Sequence, residues 1–267
     1  MAIILIIIIF LLPNFSIAED SGKIEMKITP MAKWGYSIEK NLVRLGNKSE
    51  RFEVRHGDCF QISSDWNDCK MDRERAELSS HDTKKFKPNS NIWLGWSIYI
   101  PEDFSMGYKM LTITGQLHRE GGPRVGSGKS LNMPPLFAFF IASNAAGLAI
   151  WDTKNGDKML PSYIFSTKDV KRDMFNRWTD IVVNYNNEGG VGRIVLFVNG
   201  KKLGTKEKVE IGKPDFYYFK YGIYRSHLSG HLKAKGSPLG TQVIYFDEVK
   251  SGNSFIDVSV NPRNPLN

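Results

Sequence analysis

The segment 194–203, IVLFVNGKKL, decides the fold class of this sequence. An apolar run of β-formers leads into Asn199-Gly200, the dipeptide that most strongly favours a two-residue hairpin turn. A second strand begins at Lys201, and residues 186–192 supply a looser turn before the first strand. The segment therefore predicts antiparallel strands joined by short turns.

The same kind of segment recurs along the chain, whereas helical periodicity is scarce. Many short strands without intervening helices predict an all-β, single-domain β-sandwich of the jelly-roll type. The chain length of 267 residues suits one such domain, and no linker or internal repeat divides it. The predicted strands are Phe52–Val54, Ile92–Ile100, Met110–Ile113, Leu136–Ala142, Leu148–Trp151, Ile181–Tyr185, Arg193–Val198 and Val243–Val249.

Composition limits the function classes. Hydrophobic residues make up 41% and charged residues 24%, which excludes a disordered or collagenous chain. Lys and Arg number 36 against 28 Asp and Glu, giving a net charge of +8. This surplus favours a polyanionic partner.

The first residues have the pattern of an export signal. An apolar run from Ala2 to Leu12 is too short to span a bilayer, and Ser16-Ile17-Ala18 follows it. We expect residues 1–18 to be a signal peptide and residues 19–267 to be the mature domain, secreted or periplasmic. Because the leader begins without Lys or Arg, an uncleaved anchor or a misassigned start remains an alternative.

Export bears on the only two cysteines, Cys59 and Cys69. An oxidising compartment favours a disulfide between them, and two free thiols are the alternative.

Three short segments carry residues suited to chemistry. In an extended strand Arg73, Arg75 and Glu77 share one face, so two guanidinium groups point the same way. A guanidinium fork matches a carboxylate, and Glu77 is placed to hold one arginine. A solvated, charged strand edge is the alternative.

In the second segment, Gln116 and His118 also share a face if the chain is extended. An amide beside an imidazole can share a substrate carboxylate or a proton, although a single histidine is more often structural.

The third segment, 218–225, reads YFKYGIYR. Tyr218, Lys220 and Tyr224 alternate with apolar residues, and Arg225 follows. This alternation predicts a sandwich strand with its polar, cationic face on a groove.

These segments resemble the three signature strands of the jelly-roll polysaccharide lyases: Arg-x-Glu-Leu at 75–78, Gln-x-His at 116–118 and Tyr-x-Lys-x-Gly-x-Tyr at 218–224. The resemblance covers about residues 45–255 and is strongest to the group that contains glucuronan lyase and heparin lyase I. It implies a concanavalin A-like fold with a substrate groove on the concave sheet. The chain is short for the added thumb of heparin lyase I, which favours a compact glucuronan-type enzyme.

The resemblance implies a lyase that cleaves a uronate-containing polysaccharide by β-elimination, and the export signal predicts that it is secreted. His118, Tyr224, Arg75 and Gln116 would be catalytic, and Arg73, Lys220, Tyr218 and Arg225 would bind substrate. Tyr224 would be base, acid or both, with His118 as partner base or carboxylate neutraliser, and Lys220, Arg225 and Arg75 would lower the pKa of Tyr224.

Several expectations follow for ligands and partners. The partner is an acidic polysaccharide, and we expect no nucleic-acid partner, no membrane contact after signal removal, a monomer, and no cofactor for the chemistry. The resemblance also implies a structural calcium with Asp247 as a ligand. The alternative is that Asp247 caps a turn or pairs with a surface lysine.

A non-catalytic jelly-roll carbohydrate-binding protein is the main rival class, because it needs a basic groove but neither His118 nor Tyr224. A jelly-roll glycoside hydrolase would need closely spaced carboxylates, as in Glu-x-Asp-x-Glu, and the sequence has no such triplet.

Overall fold

A computed structural model describes residues 22–121, 134–154, 158–210 and 214–260. The expected signal peptide and most of the basic, Gly- and Pro-rich segment 119–135 lie outside these residues.

Short antiparallel strands build the protein, as the alternating segments predict. Each of the eight predicted strands overlaps an observed one. The strands are β1 (Lys27–Ile28), β2 (Tyr36–Glu39), β3 (Ser49–Val54), β4 (Gln61–Ser63), β5 (Trp66–Asn67), β6 (Arg73–Ser79), β7 (Asn91–Tyr99), β8 (Leu111–Glu120), β9 (Phe137–Ala142), β10 (Ala145–Lys154), β11 (Lys158–Thr167), β12 (Trp178–Asn186), β13 (Gly192–Val198), β14 (Lys201–Val209), β15 (Phe216–Ser226) and β16 (Gln242–Gly252). The helices are α1 (Val170–Met174), α2 (Leu228–Lys235) and α3 (Phe255–Val258).

Two seven-stranded sheets form the sandwich. Sheet 1 has the order β1-β6-β15-β8-β9-β10-β11, and sheet 2 has the order β14-β13-β12-β7-β16-β3-β2. Strands that are distant in sequence pair in both sheets, for example β6 with β15, as in a jelly roll. The all-β sandwich expected from the sequence is therefore confirmed.

The core lies between the sheets. Phe52, Trp96 and Phe246 of sheet 2 pack with Phe139 and Phe219 of sheet 1, and all five are buried. Side chains alternate between the two faces along a strand. The residues that lie between the core residues of sheet 1 in sequence therefore point away from the core.

The hairpin between β13 and β14 forms as predicted. Asn199 and Gly200 both have positive φ, at 50° and 77°, and Val198 pairs with Lys201. This is the geometry that favours Asn-Gly in a two-residue turn.

A disulfide joins Cys59 and Cys69, with 5.0 Å between their Cα atoms, as predicted. It closes a loop that contains β4 and β5, and this loop ends a few residues before β6 begins. The bond thereby restrains the segment that enters the first of the candidate site strands.

Within the described residues, no helix has the length and apolar character needed to cross a membrane.

Candidate active site

Strand pairing brings the three sequence motifs together at the middle of sheet 1, because β15 lies between β6 and β8. Directly opposed pairs are Tyr224 with Arg75, Lys220 with Gln116, and Tyr218 with His118. Directly opposed residues project from the same face of a sheet. The predicted site residues of the three motifs therefore share one face, with the exception of Arg225.

That face is the outer one. Ala76, Leu117 and Phe219 alternate with the motif residues and belong to the core between the sheets. The alternation predicted from segment 218–225 is thus confirmed for Tyr218, Lys220 and Tyr224.

Glu77 organises the centre of this face. Its carboxylate is buried, lies 2.7 Å from Lys220 Nζ, and accepts hydrogen bonds from Gln116 Nε2 at 2.6 Å and Arg75 Nη1 at 3.1 Å. Burial raises the pKa of the Glu77 carboxyl, but Lys220, Arg75 and Gln116 outweigh this and hold the pKa below its usual value. Glu77 therefore stays ionised and fixes the three donors around it.

Arg75 is held from a second side by Asp68. Its Nε donates to Asp68 Oδ2 at 2.6 Å and its Nη2 donates to Asp68 Oδ1 at 2.5 Å. The guanidinium fork expected to meet a substrate carboxylate is therefore occupied by a protein carboxylate. Arg75 contributes charge and orientation instead of a free bidentate fork.

Tyr224 lies between two arginines. Its hydroxyl accepts a hydrogen bond from Arg73 Nε at 3.0 Å, and the Arg75 guanidinium lies 4.5 Å from its ring centroid. Burial raises the pKa of Tyr224, and this exceeds the lowering by Arg75 and Arg73. The expectation of a net lowered pKa is wrong, because desolvation of the phenolate outweighs the nearby cations.

His118 is neutral with a defined tautomer. Its Nδ1 lies 3.0 Å from the Arg119 carbonyl oxygen, which only accepts, so Nδ1 carries the proton and the lone pair is on Nε2. The ring stacks on Tyr218 at 5.1 Å between centroids. Burial and the charge of Lys220 lower the pKa of His118 to about 4.

His118 and Tyr224 flank the Glu77 centre without contacting each other. Tyr224 pairs with Ile113, which lies five residues before His118 on β8. Five residues of extended strand correspond to about 16 Å between the Cα atoms of Ile113 and His118. Gln116 and Lys220 lie between them.

The structure corrects the assignment of Arg225 to the substrate face. Arg225 has no exposed surface, forms an ion pair with Glu74 and donates to the Gly240 carbonyl oxygen at 2.7 Å. Its side chain lies on the side of β15 opposite Tyr224, because the two residues are adjacent in the strand. Arg225 is a buried structural ion-pair partner.

Asp247 takes the role of a turn cap. Its Oδ2 accepts the backbone N–H groups of Arg44 at 2.8 Å and Leu45 at 3.2 Å, and its Oδ1 accepts that of Glu248 at 2.8 Å. Three backbone N–H groups on one carboxylate are the hydrogen-bonding pattern of a cap, which was the alternative to a calcium ligand. In the part of the chain that the structure describes, no group of three or more His, Cys, Asp or Glu side chains is arranged to hold a metal.

Sequence reasoning missed two neighbours of the site. Asp68, which orients Arg75, sits beside Cys69, and only the predicted disulfide pointed to its segment. His81 packs edge-on against Tyr218 at 4.9 Å between ring centroids, with its Nδ1 2.7 Å from Asp82. No motif in the sequence marked His81.

The fold and the site define the class of the protein as an antiparallel jelly roll with a cationic, tyrosine-bearing face on one sheet. A family model described as polysaccharide lyase matches residues 16–250, so the chain belongs to the polysaccharide lyase family. The protein is accordingly a polysaccharide lyase, and the recognition of the family from its motifs is confirmed.

Solved structures share the fold. An endo-β-1,4-glucuronan lyase from the fungus Trichoderma reesei is similar with a TM-score of 0.66 and 14% identity, covering 89% of this chain and 94% of that one. Alginate lyase A1-II′, a member of polysaccharide lyase family 7, has a TM-score of 0.51 and 13% identity over 76% and 79% of the two chains. Alginate lyase vAL-1 from Chlorella virus has a TM-score of 0.52 and 12% identity over 86% and 93%. A comparison with curated proteins gives no match.

Proposed function

We propose that this lyase cleaves a glucuronan-type, uronate-containing polysaccharide by β-elimination on the outer face of sheet 1. The observation that carries the proposal is the environment of the Tyr224 hydroxyl, which lies 3.0 Å from Arg73 Nε above a buried, charged cluster. Elimination needs a proton-transfer group beside positive charge, and this position provides both.

The first requirement of the reaction is to neutralise the uronate carboxylate, because the C5 proton is too weak an acid beside a free carboxylate. Arg73, Arg75 and Lys220 contribute three positive charges against the two negative charges of Asp68 and Glu77. The cluster therefore keeps a net positive charge that attracts the substrate carboxylate and stabilises the enolate-like intermediate.

Proton transfer is the second requirement. The raised pKa of Tyr224 keeps its hydroxyl protonated, which suits the acid that protonates the departing O4. The same hydroxyl is the group placed to take the C5 proton, because H5 and O4 sit on adjacent carbons of one sugar and His118 lies about 16 Å away along β8. The neutral imidazole of His118, with its lone pair on Nε2, instead faces a neighbouring sugar of the bound chain.

The stereochemistry of a β-linked glucuronate fits this arrangement. H5 and O4 lie on the same side of its sugar ring, so one group on that side can take the C5 proton and then protonate O4. Tyr224, beside Arg73 and Arg75, is the group that the proposal assigns to both transfers. The balance is simple: the C5–H and C4–O4 bonds break, a C4–C5 double bond forms, and O4 leaves with a proton.

Side chains supply the charge and both proton transfers, so the proposed reaction uses no cofactor. We further propose that residues 1–18 direct export and that the protein acts as a monomer on its acidic polymer outside the cytoplasm. Mass spectrometry of the exported protein tests the leader. We expect a mass that corresponds to a chain beginning at Glu19, and a mass that includes residues 1–18 would contradict cleavage.

A panel of glucuronan, alginate, heparin, heparan and xanthan tests the activity. We expect ultraviolet absorbance from a C4–C5 unsaturated uronide, strongest with glucuronan. Absorbance with another polymer only would correct the substrate. Binding without absorbance for every polymer would instead support a non-catalytic carbohydrate-binding protein.

His118→Gln separates proton transfer from substrate binding. If Tyr224 performs both proton transfers, this variant keeps far more turnover than Tyr224→Phe and mainly raises KM. A loss of turnover as large as that of Tyr224→Phe would mean that His118 reaches the reacting sugar and would contradict the assignment.

A further inference from the structure

The outer face of sheet 1 continues beyond the candidate active site. Gln116 is directly opposed by Ala138 of β9, Ala138 by Ala149 of β10, and Ala149 by Tyr163 of β11. Each opposed pair projects from the same face. Tyr163 therefore stands on the same surface as Gln116, three strands further along.

Three aromatic side chains form a cluster at that end of the face. Tyr163 and Phe165 are stacked, with 5.9 Å between centroids and 23° between ring planes. Phe140 supports both rings from below, edge-on at 5.8 Å and 6.3 Å. We call Phe140, Tyr163 and Phe165 the aromatic platform.

The platform is exposed although it is apolar. Tyr163 is 48% and Phe165 is 47% exposed, while Phe140 is buried. The neighbouring residue Ile164 points the other way and packs against the core, so the outward placement of the two rings follows from the strand alternation. Adjacent exposed aromatic rings mark binding surfaces more often than isolated apolar residues do.

We propose that the aromatic platform binds a sugar ring of the acidic polysaccharide several units away from the bond that is cleaved. This rests on the proposed function. Four strand spacings separate β15 from β11, which is about 19 Å, so a polymer crossing the strands covers several sugar rings between Tyr224 and the platform. The C–H face of a sugar stacks on flat rings, while its hydroxyl and carboxylate groups stay in water.

The continuity of the face favours this occupant over a protein partner. The small residues Ala138 and Ala149 keep the floor between Gln116 and Tyr163 low, so an extended chain can lie along it. A second protein seated on Tyr163 and Phe165 would sit on the surface along which the proposed substrate runs.

The double variant Tyr163→Ser/Phe165→Ser tests the platform in a Tyr224→Phe background, which slows cleavage enough for binding to be measured. Affinity electrophoresis in gels containing glucuronan, or whichever panel polymer the wild-type protein cleaves, measures the binding. We expect binding to weaken about tenfold, because two stacking surfaces are removed. In the active protein we expect kcat/KM to fall for the polymer and to stay within about twofold for the shortest cleaved oligosaccharide.

Two controls make the result specific. Ile38→Ser removes an equally exposed apolar residue on β2 of sheet 2, 46% exposed, and should leave binding unchanged. Tyr163→Leu/Phe165→Leu keeps apolar bulk on the edge strand but removes the flat rings. It should reproduce the weaker binding even if the serine variant folds poorly.

The outcomes separate this proposal from the proposed function. If the wild-type protein cleaves no acidic polysaccharide, the proposed function fails. If the wild-type protein cleaves the polymer but both double variants bind it normally, the platform is not a sugar site. Loss of self-association in size-exclusion chromatography with unchanged polymer binding would make it an interface between two copies and would overturn the proposal.

Discussion

Asp68 holds Arg75 through both carboxylate oxygens, at 2.6 Å and 2.5 Å, at a position seven residues before it in the chain. Asp68 has no exposed side-chain surface, and Arg75 also contacts Glu77 and the ring of Tyr224. The two residues form a buried pair that connects the disulfide-closed loop to the candidate active site.

Asp68→Asn is expected to destabilise the protein and to lower turnover. The neutral amide leaves the Arg75 guanidinium buried with one fewer negative charge, and breaking a buried pair costs about 3–5 kcal/mol. Urea denaturation measures the loss. An unchanged midpoint would show that the pair does not hold Arg75 in solution.

Tyr224→Phe is expected to lower kcat by about a hundredfold or more with little change in Tm. The ring stays under the Arg75 guanidinium, and only the hydroxyl that contacts Arg73 is removed. Steady-state kinetics and thermal denaturation measure the two effects. Turnover near that of the wild-type protein would contradict the role of Tyr224.

Arg73→Lys and Arg75→Lys are expected to differ in their effect on stability. A lysine at 75 cannot reproduce the two parallel hydrogen bonds to Asp68, so both Tm and kcat should fall. A lysine at 73, which is less buried, should lower kcat through the lost contact to Tyr224 while Tm changes little. The reverse pattern would mean that the two arginines have exchanged roles.

His118 makes stability depend on pH. Its pKa is about 4 in the folded protein against 6.5 for an ordinary histidine, so between these values the unfolded chain binds a proton that the folded chain does not. Stability contributed by neutral His118 is therefore lost as the pH falls through this window. When the pH is lowered from about 7 to about 4.5, the Tm of the wild-type protein should fall more than the Tm of His118→Gln. A constant difference would contradict the lowered pKa.

Local patterns predicted much of the fold and the site. Alternation along 218–224 correctly placed Tyr218, Lys220 and Tyr224 on one face, because a strand has a period of two residues. The same period puts Arg225 on the other face, and only the position of Glu74 across the strand pair shows that it forms a buried ion pair.

Other features depend on tertiary contacts that no local pattern contains. The pairing of Asp68 with Arg75 requires the folded path of the disulfide loop. Strand β11 was not predicted, because Pro161 interrupts its apolar pattern, yet an edge strand tolerates a proline. The aromatic platform on β11 was missed for the same reason.

The mass of fragments from a glucuronan oligosaccharide of defined length tests the central claim most directly. Elimination adds nothing to the substrate, so we predict that the masses of the two fragments sum to the mass of the parent, with one fragment carrying an unsaturated uronide. Fragments whose masses sum to the parent plus one water would show hydrolysis and contradict β-elimination.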